Sequence, residues 1–185
     1  MTSLTSVCVY CGSSNAADPA FLELARRFGA AVAARGLKLV YGGGDVGLMG
    51  AAARAAKAAG GEVLGIMPRF LTEIEKPNPD IPTVHVETMH ERKRLMFEQS
   101  DGFVVLPGGI GTLEEVVEML SWRRLSLHAK PTVFVDTDFW APFFAFLEST
   151  ITHRLTPASF RQSFAAVDEP EECFEALERV LAEAA

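Results

Sequence analysis

Short apolar runs alternate along the chain with longer segments in which apolar residues recur every three or four positions. The run SVCVYC at 6–11 precedes the periodic segment FLELARRFGAAVAARG at 21–36, and LKLVY at 37–41 precedes a small-residue segment at 47–61. Continuous apolar runs of about four to eight residues are typical of buried parallel strands, and the longer periodic segments are typical of helices. The same reasoning predicts further strands at 62–68, 83–87, 102–107 and 131–136, and further helices at 88–100, 112–125, 140–154 and 169–184.

Strands that alternate with helices predict βαβ units, in which a parallel sheet is covered by helices on both faces. A chain of 185 residues is long enough for one well-buried domain and short for two. No linker, repeat or low-complexity segment divides the sequence. We therefore predict a single α/β domain over 1–185, built on a doubly wound, Rossmann-like parallel sheet.

The composition narrows the partners that this domain could have. Hydrophobic residues make up 49% and charged residues 22%, as in an ordinary soluble protein. The net charge of -7 argues against nucleic acid as a partner, although a locally positive pocket could still bind a small anion. The sequence has no apolar run near the roughly 18 residues of a membrane span and no pattern of a secretory signal. We expect a cytoplasmic protein that binds neither nucleic acid nor membrane.

The three cysteines do not form a convincing metal or redox site. Cys8 and Cys11 have CxxC spacing, but they lie in and just after a predicted strand, and no second pair completes a zinc site. An odd, sparse set of cysteines fits reduced thiols in a cytoplasm. The histidines are scattered without ligand spacing, at His85, His90, His128 and His153. We predict no metal and no cofactor.

Two glycine-rich stretches directly follow predicted strands. YGGGDVGLMG at 41–50 comes after LKLVY, and PGGIGT at 107–112 comes after GFVVL. Ligands of open parallel sheets bind beyond the carboxyl ends of the strands, so both stretches are expected at the same edge. Backbone N–H groups and the positive end of a helix dipole would meet there, and that arrangement binds phosphate.

The first stretch does not fit a dinucleotide-binding turn. Gly42, Gly44 and Gly47 match GxGxxG, but that pattern requires an acidic residue at the end of the next strand, about 20 positions later. Glu62 has the right distance and lies at the start of that strand instead. Neither stretch ends in Gly-Lys-Ser/Thr, which also disfavours a P-loop.

The segment LPGGIGTLEE at 106–115 allows a structural and a catalytic interpretation. Thr112 and Glu115 form the T-x-x-E pattern of a capping box, whose side chains bind free N–H groups at a helix start. Gly108, Gly109 and Gly111 are more glycines than a strand-to-helix turn needs, which suggests close approach to a ligand. From these residues alone both roles of Glu115 stay open. Taken alone, the charge run ERKR at 91–94 is typical of a solvated helix face.

Five segments, in the same order, resemble those of the LOG-type ("Lonely guy") phosphoribohydrolases, which activate cytokinins. They are CGSS at 11–14, YGGGDVGLMG at 41–50, MHERK at 89–93, PGGIGTLEE at 107–115, which matches PGGxGTxxE, and LHAKP at 127–131. The resemblance implies hydrolysis of the N-glycosidic bond of a nucleoside 5′-monophosphate, such as an N6-modified adenine nucleotide or AMP. The products would be a free base and ribose 5-phosphate. It also implies a homodimer with the active site near the subunit interface.

Matched residue by residue, the resemblance implies that Arg92 and Glu115 form the catalytic pair. The predicted substrate and phosphate contacts are Lys93, Gly108, Gly109, Gly111, Thr112, Gly43, Gly44, Ser13, Glu73 and Ser121. Cleavage of the C1′–N bond builds positive charge on the ribose, which the Glu115 carboxylate could stabilise while it takes a proton from water. Glycine N–H groups and the Thr112 hydroxyl would hold the phosphate. Arg92 would orient the ribose or phosphate and keep Glu115 ionised.

Some residues depart from the family pattern. Arg124 stands where relatives usually carry Gln, and Ser126 where they usually carry Gly. The loop EKPNPDIP at 75–82 is unusually proline-rich, so base preference stays open.

Two other functions are alternatives to hydrolysis. One is a nucleotide carrier without turnover. The other is a lysine decarboxylase, a label often given to this family, which needs a Schiff-base lysine. None of the lysines lies in a recognisable cofactor motif (Lys38, Lys57, Lys76, Lys93 and Lys130).

Overall fold

The structure is a computed structural model that describes residues 4–183. The two ends of the predicted domain 1–185, and residue 184 at the end of the last predicted helix, lie outside the described residues. Within 4–183, seven parallel strands form one sheet in the order β4-β3-β2-β1-β5-β6-β7. The strands are β1 (Ser6–Tyr10), β2 (Lys38–Tyr41), β3 (Val63–Pro68), β4 (Thr83–Val86), β5 (Gly102–Val105), β6 (Thr132–Val135) and β7 (Ala165–Val167).

Helices connect these strands. They are α1 (Pro19–Ala34), α2 (Gly47–Ala58), α3 (Thr72–Glu75), α4 (Met89–Glu98), α5 (Ile110–Arg124), α6 (Thr137–Thr152) and α7 (Cys173–Glu183). Short 3₁₀ turns at 69–71, 158–162 and 170–172 precede α3, β7 and α7. In the part of the chain that the structure describes, no helix is both long enough and apolar enough to cross a membrane.

The strand order reverses at β1. From β1 the chain builds outward through β2 and β3 to β4, and it then returns to the other side of β1, where β5, β6 and β7 follow. β1 pairs in parallel with β2 through Cys8 and Val40, and with β5 through Val9 and Val104. The predicted doubly wound, Rossmann-like α/β fold is therefore confirmed. Its switch point lies between β1 and β5, and ligands of such sheets bind at the carboxyl end of that point.

The side chains of β1 explain why its sequence is apolar throughout. Val7 and Val9 pack on one face of the sheet, in the cluster that contains α1, α2 and α7, and Cys8 and Tyr10 pack on the other, with α4, α5 and α6. All four side chains are at most 3% exposed. A strand that is covered on both faces needs a continuous apolar run rather than an alternating one.

Helices α1 and α2 pack closely because small residues meet at their contact. Gly29 of α1 lies against Ala52 of α2, and a Cβ atom on Gly29 would lie 2.1 Å from the Ala52 carbonyl oxygen. α1 begins with Pro19 at its first position, and the Asp18 carboxylate accepts a hydrogen bond of 2.8 Å from Ala20 N. This start is typical of a helix N-terminus.

The start of α5 differs from the prediction. The helix begins at Ile110, with Gly109 as its N-cap residue and no side-chain hydrogen bond to the cap. The interpretation of Thr112 and Glu115 as a capping box is therefore wrong, because both residues lie inside the helix. α4 does begin with a capping box, in which Thr88 Oγ1 accepts a hydrogen bond from Glu91 N and the Glu91 carboxylate accepts one from Thr88 N.

The C-terminal part contains a strand that the sequence analysis missed. β7 has the three residues AAV and lies at the edge of the sheet, where it pairs with β6. α6 begins at Thr137 rather than at Trp140, and the Asp136 carboxylate caps it by accepting a hydrogen bond from Phe139 N. The last helix begins at Cys173 after a 3₁₀ turn, rather than at residue 169.

Candidate active site

A cavity of about 340 Å³ opens at the carboxyl ends of the strands, at the switch point between β1 and β5. This volume lies within the range of about 300–1,000 Å³ that is typical of ligand pockets. The walls come from the loop after β1, the glycine turn after β2, and helices α3, α4 and α5. The polar side chains that line it belong to Ser13, Ser14, Glu75, Arg92, Thr112, Glu114 and Glu115.

The first turn of α5 presents free backbone N–H groups to the cavity. Its first backbone hydrogen bond runs from Leu113 N to Gly109 O, at 3.0 Å, so the N–H groups of residues 110–112 have no acceptor within the helix. A Cβ atom on Gly109 or Gly111 would meet no atom of the described residues within 4 Å, so the space beside the Cα atoms of both glycines is open. A helix start of this kind attracts anions, and phosphate in particular.

Thr112 and Gly108 form the wall behind these N–H groups. Thr112 is 3% exposed and lines the cavity. A Cβ atom on Gly108 would lie 2.1 Å from Thr112 Oγ1, so only glycine leaves room for the threonine. Of the three glycines in the segment 106–115, two therefore border the cavity and Gly108 supports its wall.

Arg92 places a buried guanidinium at the cavity. The residue is 6% exposed; its Nη2 donates a 3.0 Å hydrogen bond to Gly42 O and lies 3.9 Å from Glu75 Oε2. A Cβ atom on Gly42 would be 1.9 Å from Nη2, so glycine at this position makes the contact possible. Arg92 Nε has no hydrogen-bond partner among the described residues. A buried cation with free donors is well suited to bind an anionic group.

Glu115 places a buried carboxyl group in the same cavity, one turn further along α5. The residue is 9% exposed, and this burial raises its pKa to about 7. Arg92 lowers the pKa, as predicted, whereas Glu114 and Glu75 raise it. Desolvation outweighs the attraction of Arg92, so the net shift of the Glu115 pKa is upward. A carboxyl group that titrates near neutral pH is suited to proton transfer.

Glu75, which the sequence analysis did not select, lines the cavity, and Glu73 does not. Glu73 is exposed, whereas Glu75 is partly buried beside Arg92. Burial raises the pKa of Glu75, and Arg92 opposes this. The backbone fixes the orientation, since Asp45 N donates a 3.0 Å hydrogen bond to Glu75 O. The stretch TEIE at 72–75 offered two glutamates, and the sequence contained no signal for choosing between them.

Of four other predicted contacts, one borders the cavity and three do not. Ser13 borders it from the loop after β1. Gly43 and Gly44 lie behind Gly42, where Gly43 packs on β3 and Gly44 forms a bridge with Pro77. Ser121 is exposed near the end of α5, along a groove that also involves α6, and is not at the cavity.

The lining also has an apolar side that sequence reasoning did not identify. It consists of Val9, Met49, Met89, Met96 and Ile110. Met49, Met89 and Ile110 belong to segments that carried the resemblance, at 41–50, 89–93 and 107–115. Val9 and Met96 had no sequence signal beyond their apolar character. Ile110 is 85% exposed although it is large and apolar, which is typical of a ligand-binding edge.

Comparison with known families assigns the chain. The family model described as "Possible lysine decarboxylase" matches residues 49–177. A cytokinin riboside 5′-monophosphate phosphoribohydrolase of Rhodococcoides fascians is 42% identical over 158 residues, or 83% of this chain and 80% of the relative. A probable enzyme of the same name from Oryza sativa subsp. japonica is 42% identical over 167 residues, or 89% and 74%. The chain belongs to the cytokinin riboside 5′-monophosphate phosphoribohydrolase family. The resemblance noted in the sequence is thereby confirmed.

Solved structures share the fold of this phosphoribohydrolase family member. A molybdenum cofactor binding protein from Rippkaea orientalis is 23% identical and superposes with a TM-score of 0.72 over 98% of this chain and 99% of that chain. The molybdenum cofactor carrier protein of Chlamydomonas reinhardtii is 20% identical, with a TM-score of 0.73 over 97% and 99%. At these identities the likeness shows the fold alone.

The cavity does not fit the decarboxylase description that the family model carries. Pyridoxal-phosphate chemistry uses a Schiff-base lysine, whose amine must lose its proton to react. No lysine is among the described residues that line the cavity. Lys93, which follows Arg92 on α4, lies with its Nζ 2.5 Å from Glu114 Oε1 and 2.7 Å from Glu118 Oε2. Burial lowers the pKa of Lys93, but the hydrogen bond to Glu114 and the ion pair with Glu118 outweigh that effect and raise it, so the amine stays charged.

The cysteines and acidic residues form no metal centre in the region described. Between residues 4 and 183, no group of three or more His, Cys, Asp or Glu side chains is placed to hold a metal ion. Cys8, Cys11 and Cys173 are free thiols, and burial raises the pKa of each. The CxxC spacing therefore reflects two protonated thiols in and just after β1.

Proposed function

We propose that this protein hydrolyses the N-glycosidic bond of adenine nucleoside 5′-monophosphates, with or without an N6 substituent, and releases the base and ribose 5-phosphate. The named relatives support this reaction, since they are phosphoribohydrolases of cytokinin riboside 5′-monophosphates at 42% identity. The observation that carries the proposal is that one cavity contains the open start of α5, Arg92 and Glu115. Together they provide partners for a phosphate, a ribose and an attacking water.

In this proposal the 5′-phosphate binds at the start of α5. The N–H groups of residues 110–112 and the Thr112 hydroxyl donate to its oxygens. Arg92, whose Nε has no partner among the described residues, donates to the phosphate or to a ribose hydroxyl. Charge-assisted hydrogen bonds of this kind are about twice as strong as neutral ones.

Glu115 acts on the anomeric carbon. A phosphate held at the first turn of α5 brings the ribose alongside the second turn, where Glu115 lies. The C1′–N bond breaks with its electron pair leaving on the base, which takes up a proton from solvent, and the oxygen of water forms the new bond to C1′. The ionised carboxylate stabilises the oxocarbenium-like charge and accepts the proton of the water.

The adenine base lies against the apolar side of the cavity. Met49, Met89 and Met96 line this side together with Ile110. Methionine side chains adapt to irregular shapes, so this surface suits N6 substituents of different sizes.

The proposal is tested by incubating the protein with AMP, isopentenyladenosine monophosphate and the two corresponding nucleosides, and separating the products by chromatography. We expect base release from both monophosphates. The kcat/KM for the nucleosides should be lower by roughly 100-fold or more, because each charge-assisted hydrogen bond to phosphate contributes about 1.5–3 kcal/mol. The ratio of the two monophosphates gives the base preference.

Two results would contradict the proposal in different ways. Equal activity on the nucleosides would refute the placement of the phosphate at α5. Tight binding of a monophosphate without base release would favour the nucleotide carrier instead.

We further propose that the active form is a homodimer in the cytoplasm. Val117 of α5 and Phe146 of α6 are 48% and 64% exposed, although both are large and apolar. Exposed apolar side chains on neighbouring helices suit an interface with a second copy. The free thiols suit a reducing compartment.

A further inference from the structure

The ammonium group of Lys93 connects two helices beside the cavity. It reaches from α4 to α5, where it lies 2.5 Å from Glu114 Oε1 and 2.7 Å from Glu118 Oε2. The side chain of Lys93 is 11% exposed and that of Glu118 is 24% exposed, so water screens this contact less than it screens a surface ion pair. Glu114 and Glu118 are four positions apart and lie on the same side of α5, so one cation can hold both.

We infer that Lys93 is a positioning residue for the reaction proposed above, on which this inference rests: it ties α4 to α5 so that Arg92 and Glu115 keep their places at the cavity. Arg92 and Lys93 are consecutive on α4, and Glu114 and Glu115 are consecutive on α5. The contact between Lys93 and Glu114 therefore joins the residue next to Arg92 on α4 to the residue next to Glu115 on α5. A fixed distance between the tied residues limits how far Arg92 and Glu115 can move relative to each other.

Lys93 also offsets negative charge around Glu115. The charged side chains that influence Glu115 are Arg92 and Lys93 from α4, Glu114 from α5 and Glu75 from α3. Three further titratable groups near it belong to β1 and the residue after it, and burial raises the pKa of each so that all three stay neutral: Cys8, Tyr10 and Cys11. Without the ammonium group, Glu114 and Glu118 would lie uncompensated beside the catalytic carboxyl group.

Direct contact of Lys93 with the substrate phosphate is the alternative role. Lys93 is absent from the described lining of the cavity, and its ammonium would have to leave two carboxylates to reach a phosphate. The two roles differ in their kinetics. Loss of a positioning residue lowers kcat, whereas loss of a ground-state phosphate contact raises KM.

The test measures kcat and KM for a nucleoside 5′-monophosphate across a pH series, for Lys93→Met, Lys93→Arg and Glu118→Gln. For Lys93→Met we expect kcat to fall roughly 10- to 100-fold, since a displacement of about 1 Å can cost 10²-fold in rate. KM should change by less than about twofold, and the acid limb of the profile should move to higher pH because the carboxylates lose their counter-charge. Lys93→Arg should restore most of kcat, since a guanidinium can hold both carboxylates.

Glu118→Gln tests the tie without changing Lys93. It removes one contact of the ammonium group and one negative charge, so kcat should fall by a smaller factor and the acid limb should not move to higher pH. If circular dichroism shows that Lys93→Met does not fold, the Glu118→Gln result decides. Arg94→Met is the matched control with unchanged kinetics, because Arg94 is exposed and pairs with Glu98 within α4.

The outcomes separate this inference from the proposed function. A Lys93→Met variant with raised KM and unchanged kcat would overturn the positioning role and leave the proposed function standing. Unchanged kinetics in Glu118→Gln would overturn it as well. If the unmodified protein releases no base from any monophosphate, the proposed function fails and the role of Lys93 fails with it.

Discussion

Adjacent carboxyl groups on α5 have different surroundings. Glu115 is 9% exposed inside the cavity, whereas the Glu114 side chain is 53% exposed and pairs with Lys93. Consecutive helical residues point about 100° apart, so both carboxyl groups cannot act on one atom. Burial singles out Glu115 as the group that takes up a proton near neutral pH.

Replacing Glu115 with glutamine should lower kcat by about 10²–10⁴-fold, the usual contribution of a general base. Substrate binding should persist, because glutamine has nearly the same shape and loses only the charge. Single-turnover kinetics and equilibrium binding of the monophosphate measure the two effects separately. Glu114→Gln is the matched control and should cost less. A larger loss at Glu114 would show that the neighbouring carboxylate is the base.

The activity should depend on pH through the same group. Because burial raises the pKa of Glu115 to about 7, we expect a protonated, inactive carboxyl group in about half of the free protein near that pH. As pH falls below this value, kcat/KM should drop about tenfold per unit, and above it the rate should level off. Glu114→Gln removes a charge that raises the pKa of Glu115, so its acid limb should move to lower pH. A rate that rises with acidity would mean that the protonated form is active.

Sequence motifs identified most of these residues, but they did not show where the side chains point. Arg92 and Glu115 belong to conspicuous segments, and the structure brings both to one cavity. The choice between Glu73 and Glu75 depends on how α3 is held against the glycine turn, through Asp45 N and Glu75 O. The partners of Lys93 lie on another helix, so only the packing of α4 beside α5 reveals them.

The helices and strands were likewise predicted only in part from the sequence. Long apolar runs such as 102–107 identified buried strands correctly, because burial on both faces demands them. β7 was missed since three residues at a sheet edge carry little pattern. The T-x-x-E pattern misplaced the start of α5, because Gly109 and the open cavity take the place of a side-chain cap.

The contact between α1 and α2 gives a stability prediction. Gly29→Ala would place a Cβ atom 2.1 Å from Ala52 O, which forces the two helix backbones apart. Alanine is favoured over glycine in a helix by about 1 kcal/mol, yet we expect a net destabilisation of about 1–3 kcal/mol from overpacking. Urea unfolding of both proteins measures the change.

Ala30→Gly is the control for helix propensity at the neighbouring position. Ala30 is exposed in the same helix, so this change should cost only the propensity difference of about 1 kcal/mol. If Gly29→Ala stabilised the protein by that amount, the close approach of α1 and α2 would be refuted.

The position of the cavity follows from the order of the strands. The chain completes β4 at one edge before β5 returns to pair with β1, which places the two glycine turns at the ends of β2 and β5, on either side of β1. Alternating strands and helices predict a parallel sheet, but they do not fix where its order reverses. The site therefore required the topology as well as the motifs, because residues of α3, α4 and α5 converge only at that switch point.

If the exposed apolar side chains of α5 and α6 form a dimer interface, the unmodified protein should sediment at twice its chain mass. Phe146→Glu should then yield monomers, because the charge would be buried without a partner at the interface, whereas in the monomer position 146 is 64% exposed and tolerates it. Phe70→Glu is a matched change at a 58% exposed phenylalanine in the 3₁₀ turn after β3, outside α5 and α6, and it should leave the dimer intact. Analytical ultracentrifugation distinguishes these cases. A monomeric unmodified protein with full activity would refute both the interface and the need for a second subunit.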